Sequence, residues 1–201
     1  MADIVFIVDQ SGSMQAKHFQ LVRQFIYRIV DGLDVSSKKV RVGIVLYSDA
    51  AKAVVYLNSI KEKDDILQFI KMLPYQEGST KTGAALNFTR EYMFSKSTGS
   101  RKSQGVQQLA VLITNSKSQD DVSIASVALR RTGVTVYAVG VKDADPNELR
   151  QIASHPARKY VFKADSLAKL EKSLQKLLCY NIIRAVFAVP VRSFNIKTGN
   201  H

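Results

Sequence analysis

Short apolar runs alternate along this chain with stretches in which apolar positions recur every three or four residues. The runs Asp3 to Val8, Val40 to Tyr47, Ala53 to Leu57, Leu109 to Thr114, Val134 to Val141 and Tyr160 to Phe162 predict strands. Several carry apolar residues on both faces, the pattern of strands covered by helices on either side. Between them, Phe19, Val22, Phe25, Ile26, Ile29, Val30 and Leu33 form a stripe at helical spacing. Asp64 to Leu73, Thr82 to Phe94, Val122 to Arg131, Pro146 to Ala153 and Ser166 to Leu178 predict further helices. Such alternation predicts an α/β fold, an open and mostly parallel twisted sheet with helices on both faces and right-handed crossovers. The domain is expected to span residues 1–179 and to be followed by a C-terminal extension and linker over 180–201. In that extension Ile182, Ile183, Val186, Phe187, Val189, Val191 and Phe194 still require burial, so the segment is expected to dock on the outside of the helix layer.

In an open α/β sheet, ligands bind beyond the carboxyl ends of the strands near the point where strand order reverses. The loop after the first strand reads Asp9-Gln10-Ser11-Gly12-Ser13, a D-x-S-x-S cluster that presents one carboxylate and two hydroxyls. Hard oxygen donors on a tight loop suit Mg²⁺ or Mn²⁺. A serine-rich turn that caps the following helix is the structural alternative. Two more polar loops should reach the same edge, Gly78-Ser79-Thr80-Lys81-Thr82-Gly83 and Thr114-Asn115-Ser116.

At 201 residues, with 46% hydrophobic and 23% charged positions, the chain has the composition of one ordinary globular domain. No apolar stretch reaches the roughly 20 residues that span a bilayer. Met1-Ala2 leads into the first strand without a leader pattern, which leaves secretion open for a segment of a longer chain. Cys179 is the only cysteine, so an internal disulfide and a cysteine-based metal site are excluded. The formal charge of +12, from 29 Lys and Arg against 17 Asp and Glu, favours acidic partners such as sulfated glycans. Lys96, Arg101 and Lys102 form the densest basic group, expected to be a solvated loop; without interleaved aromatics it does not read as a nucleic-acid surface.

These motifs identify a resemblance to the von Willebrand factor type A domain, over Asp3 to about Leu178. The metal-ion-dependent adhesion site of that family combines D-x-S-x-S, a threonine from a later Gly-Thr-rich loop and an aspartate after the central strand. Asp9, Ser11 and Ser13 match the first element and Thr80 the second. The third departs, because Thr114-Asn115-Ser116 stands where the family usually has Thr-Asp-Gly. With an amide in place of a carboxylate, the site at Asp9, Ser11, Ser13, Thr80 and Asn115 is expected to be weak or vestigial; Mg²⁺ or Mn²⁺ binds weakly at most and no cofactor is required. Within the family, Val40 to Ser48 and Ser123 to Arg130 most resemble the A domains in the amino-terminal array of the collagen VI alpha-3 chain. The resemblance implies a secreted, non-enzymatic module of the extracellular matrix that acts in adhesion and microfibril assembly. Its partners would be matrix proteins and neighbouring A domains, without membrane insertion.

Two other functions compete with that reading, a Mg²⁺-dependent hydrolase with Asp9 as nucleophile and an intracellular A-domain scaffold. A hydrolase of the haloacid dehalogenase type needs a second carboxylate two residues after the first, where this chain has Ser11. The Gly78 to Gly83 loop is followed by Ala84 rather than the lysine of a P-loop. Asn87-Phe88-Thr89 is an N-glycosylation sequon, which suits a secreted protein although it falls inside a predicted helix.

Overall fold

The computed structural model describes residues 1–164 together with Leu167, Leu174, Gln175, Lys176, Leu178 and Tyr180. Cys179, the tail over 181–201 and most of the helix predicted from Ser166 lie outside the described residues, and with them the boundary expected at 179 and the docking of the tail.

Six strands form one sheet: β1 (Ala2–Asp9), β2 (Val40–Tyr47), β3 (Ala51–Val55), β4 (Gln107–Thr114), β5 (Thr135–Val141) and β6 (Val161–Ala164). Their order is β3-β2-β1-β4-β5-β6, and every neighbouring pair is parallel except β2 with β3. From β1 the chain first builds outward through β2 and β3, then returns to lay β4 on the other flank of β1. The reversal puts the crevice of the fold at the carboxyl ends of β1 and β4, as the alternating pattern predicts.

Residues of β1 alternate between two cores, as the period of a strand dictates. Ile4, Phe6 and Val8 join the cluster under α1 (Gln15–Asp31) and α2 (Lys63–Lys71), which also takes in Leu167, Leu174 and Leu178. Val5 and Ile7 face α3 (Thr82–Phe88), α4 (Ser123–Arg131) and α5 (Pro146–Ile152). Helix α1 buries Phe19, Val22, Phe25, Ile26, Ile29 and Val30, the predicted stripe. Gly83 lets α3 approach the α4 side closely, since a Cβ there would lie 2.2 Å from the Asp121 carbonyl oxygen.

Several boundaries differ from the sequence expectation by one or two residues, and three differences have a visible local cause. Strand β3 begins two residues early, because its pairing with β2 starts at Tyr47↔Ala51 around a tight turn. The predicted Thr82 to Phe94 helix ends at Phe88 and continues as one π-helical turn, Thr89–Met93. There the buried Thr89 hydroxyl donates to the Ala85 carbonyl at 2.8 Å, the type of side-chain competition that loosens a helix. A short helix, α6 (Ala157–Tyr160), precedes β6, so Tyr160 belongs to the helix and packs edge-on against Tyr137 at 5.2 Å.

The basic stretch around residue 100 is also not the solvated loop that its composition suggests. Lys96 and Lys102 are exposed, but Arg101 is 4% exposed and its guanidinium meets the fully buried Asp3 carboxylate at 2.7 Å. Arg101 further donates to the carbonyls of Ala2 (2.9 Å), Lys38 (3.0 Å) and Lys39 (3.0 Å). Asp3 in turn accepts from the Arg101 backbone N–H and the Gln108 amide, both at 2.7 Å. A buried carboxylate at the amino edge of the sheet requires such a counter-charge, and Arg101 supplies it.

Candidate functional site

Parallel pairing of Val8 with Ile113 delivers Asp9 and Thr114 side by side at the carboxyl edge of the sheet. Asp9 is fully buried there. One carboxylate oxygen accepts the Ser11 backbone N–H at 2.8 Å and the other the Thr114 hydroxyl at 2.8 Å. Burial pushes the Asp9 carboxyl above its ordinary range, and the hydrogen bonds from Ser11, Thr114 and Asn115 pull the other way. Beneath it, Tyr47 shares a 3.1 Å hydrogen bond with Thr82 Oγ1. Burial, and next the Asp9 charge, hold that phenol well above its usual range, so it stays a neutral hydroxyl.

A cluster of hydroxyls lies on the solvent side of Asp9. Ser13 Oγ is 2.8 Å from Ser11 Oγ, 3.2 Å from Asn115 Oδ1 and 3.0 Å from Ser116 Oγ. Thr80 Oγ1 is 3.3 Å from Ser116 Oγ, which brings the second loop to the same cluster. Asn115 turns its amide nitrogen to the Ser13 carbonyl at 2.7 Å. Its side chain therefore clasps the first loop with both a donor and an acceptor.

Backbone bonds hold the three loops against one another. Gly12 donates to the Gly78 carbonyl at 3.0 Å, Lys81 to Ser48 at 3.3 Å and Gln119 to Thr80 at 2.8 Å. Tyr75 donates its hydroxyl to the Ser11 carbonyl at 3.3 Å while its ring packs on Phe19 at 5.3 Å. Neither Ser11 nor Met14 makes a side-chain cap to the helical turns that follow the D-x-S-x-S segment. The serine-rich segment is thus turned toward the other loops.

All five residues named from the sequence, Asp9, Ser11, Ser13, Thr80 and Asn115, meet in this cluster. Sequence reasoning placed Ser116 in the third loop without giving it a role, although it bridges Ser13 and Thr80. It also missed the acids behind the site. Asp120 accepts the backbone N–H groups of Gly83 (2.7 Å) and Ala84 (2.8 Å), and Glu148 accepts that of Ser118 at 3.0 Å. Burial raises the Glu148 carboxyl, with the Ser118 N–H opposing. The run of Ser118, Asp120 and Asp121 was a visible signal of this network, but nothing local shows that its targets lie on another helix.

The donor set, one carboxylate with several hydroxyls, has the hard-oxygen chemistry of a small divalent cation. It fits such an ion in kind and falls short in charge, because Asp9 is the only carboxylate among the five. As a nucleophile Asp9 is poorly placed, being fully buried with both oxygens hydrogen-bonded.

The profile of the von Willebrand factor type A domain matches residues 3–176. The chain belongs to this family. This A domain is 38% identical to the human collagen alpha-6(VI) chain over 99% of its own length and 9% of that chain's. It is 39% identical to the mouse collagen alpha-4(VI) chain, over 91% of its length and 8% of the relative's, and 38% identical to human matrilin-1, over 88% and 36%. The A domain therefore spans a small part of the relatives it matches. Proximal thread matrix protein 1 from the mussel byssus superposes with a TM-score of 0.81 at 30% identity, over 89% of the A domain and 48% of that chain, in a structure whose MIDAS motif is occupied by zinc. These relatives are extracellular matrix proteins, and the expected likeness to collagen VI holds at the level of the chains named here. No described helix of the A domain is long and apolar enough to cross a membrane.

Proposed function

We propose that the chain is a non-enzymatic protein-interaction module of the extracellular matrix, used in adhesion and microfibril assembly, whose metal-ion-dependent adhesion site is degenerate. The observation that carries the second part is the Asn115 side chain, bonded to Ser13 at both its amide nitrogen and its carbonyl oxygen. It links the first and third loops through neutral hydrogen bonds where a second carboxylate would add charge. Asp9, Ser11, Ser13, Thr80 and Asn115 are the residues that would hold Mg²⁺ or Mn²⁺. A bound cation would supply a positive centre for a partner's Glu or Asp. With only the Asp9 charge facing it, binding of that cation is weak, and contacts elsewhere on the domain carry recognition.

Matrix proteins, neighbouring A domains and sulfated glycans are the proposed partners, and the excess of basic residues supports the last of these. The immobilised domain, offered a matrix extract in Mg²⁺ and separately in chelator, should retain the same matrix proteins in both. Retention lost in chelator would contradict the degenerate site; retention of no matrix protein in either would contradict the module.

A further inference from the structure

The sequon Asn87-Phe88-Thr89 straddles the end of α3. Asn87 is exposed on the outer face of the helix, and Phe88 is half-buried with its ring 4.9 Å from that of Tyr92. Thr89 has no exposed surface, and its hydroxyl is engaged by the Ala85 carbonyl. The folded chain thus presents the acceptor amide and hides the hydroxyl that completes the sequon.

We propose that Asn87 carries an N-linked glycan, attached before α3 docks on the sheet. The proposal rests on the secreted reading above. In the transfer, Asn87 Nδ2 loses a proton and bonds to the anomeric carbon of an oligosaccharide carried on a lipid pyrophosphate; the sugar–phosphate bond breaks and the lipid pyrophosphate leaves.

The order of events follows from how α3 is held. A helix of 7 residues is not stable by itself. Its amino end is satisfied from far along the chain: Asp120 accepts from Gly83 at a separation of 37 residues, and Ser118 Oγ accepts from Thr82 at a separation of 36. These partners emerge only after the sequon. At synthesis rates of roughly 5–20 residues per second, the 31 residues from Thr89 to Asp120 (120 − 89) correspond to about 2–6 s. The same interval delays the pairing of β4 with β1, which closes the sheet under α3. During it Asn87 and Thr89 are both accessible. Once the domain has folded, the glycan projects from the outer face of α3, about 8 Å along the helix from Thr82 and the metal-type loops at a rise of 1.5 Å per residue. The edge bearing Asp9 remains open while the outer face of α3 is shielded.

The test is expression of the full chain behind a secretory leader in vertebrate cells, with peptide-N-glycosidase treatment and intact mass of protein from both medium and membrane fractions. One glycan is expected, its removal leaving Asp at position 87. Asn87→Gln should abolish it without changing the melting temperature, and Thr89→Ser, which keeps both sequon and hydroxyl, should retain it. Unmodified Asn87 in both fractions would overturn the proposal and leave the chelator comparison of the preceding section unaffected. In detergent-permeabilised microsomes, which expose the transferase, folded domain from bacteria should stay unmodified while a peptide spanning Asn87 to Thr89 is glycosylated; modification of the folded domain would overturn the stated order.

Discussion

Replacing Arg101 with alanine removes the counter-charge of a carboxylate that has no access to water. The Asp3 and Arg101 side chains are 0% and 5% exposed, and the guanidinium approaches Asp3 at 2.7 Å. Taking one partner from a buried pair costs about 3–5 kcal/mol, because the remaining charge stays in a poorly polarisable site. Asp3 would keep the Arg101 backbone N–H and the Gln108 amide, which places the loss in the lower half of that range. Against this, the Ala2 and Lys39 carbonyls lose the guanidinium as donor. We therefore predict a loss of about 3–4 kcal/mol for Arg101→Ala, a fall in Tm of about 6–16 °C at 2–4 °C per kcal/mol. Denaturant unfolding of wild type, Arg101→Ala and the exposed control Lys102→Ala would measure it; the control should stay within about 0.5 kcal/mol of wild type. Asp3→Asn combined with Arg101→Ala should cost less than the sum of the single changes. A loss under about 1 kcal/mol for Arg101→Ala, or strict additivity with Asp3→Asn, would refute the reasoning.

The positive charge predicts salt-sensitive retention on heparin, reduced by Lys96→Glu with Lys102→Glu; elution of wild type below physiological salt would contradict it. Gly83→Ala should destabilise strongly and lower Tm, because its Cβ would meet a backbone oxygen at 2.2 Å, and a Tm equal to wild type would count against the tight packing of α3 on the α4 side. Asp145 caps α5 by accepting the Asn147 N–H at 2.8 Å, and that bond holds its carboxyl below the ordinary value of 3.8. A lowered folded value gives stability that is present above pH 3.8 and lost as pH falls through the lower folded value. The stability gap between wild type and Asp145→Ala should therefore narrow in acid; a gap that widens there would exclude the cap as its origin.

The strands were legible because each is apolar for most of its length, and the loop cluster because Asp9, Ser11 and Ser13 follow a strand directly. Strand order then places Asn115 beside them, and the backbone bonds of Gly12 to Gly78 and of Lys81 to Ser48 bring in the Thr80 loop. Arg101 was misread for a physical reason. A charged side chain in a polar loop looks solvated until the strand pairing of Ala2 with Gln107 brings the loop over Asp3. Thr89 and Asp120 illustrate the same limit, since the first acts by bonding back along its own helix and the second by capping a helix 37 residues earlier. Position along the chain carries no trace of such contacts.

The claim that Asn115 makes the metal site degenerate is tested most directly by calorimetric titration of wild type and Asn115→Asp with Mg²⁺. Restoring a carboxylate about 4 Å from a divalent ion, at an effective dielectric near 20, adds about 8 kcal/mol of attraction before the cost of desolvating the carboxylate, so binding should strengthen by at least about 2 kcal/mol, roughly 30-fold or more. Wild type should show weak or no binding at physiological Mg²⁺ and Asn115→Asp clear binding. Micromolar binding by wild type, unchanged in Asn115→Asp, would contradict the account.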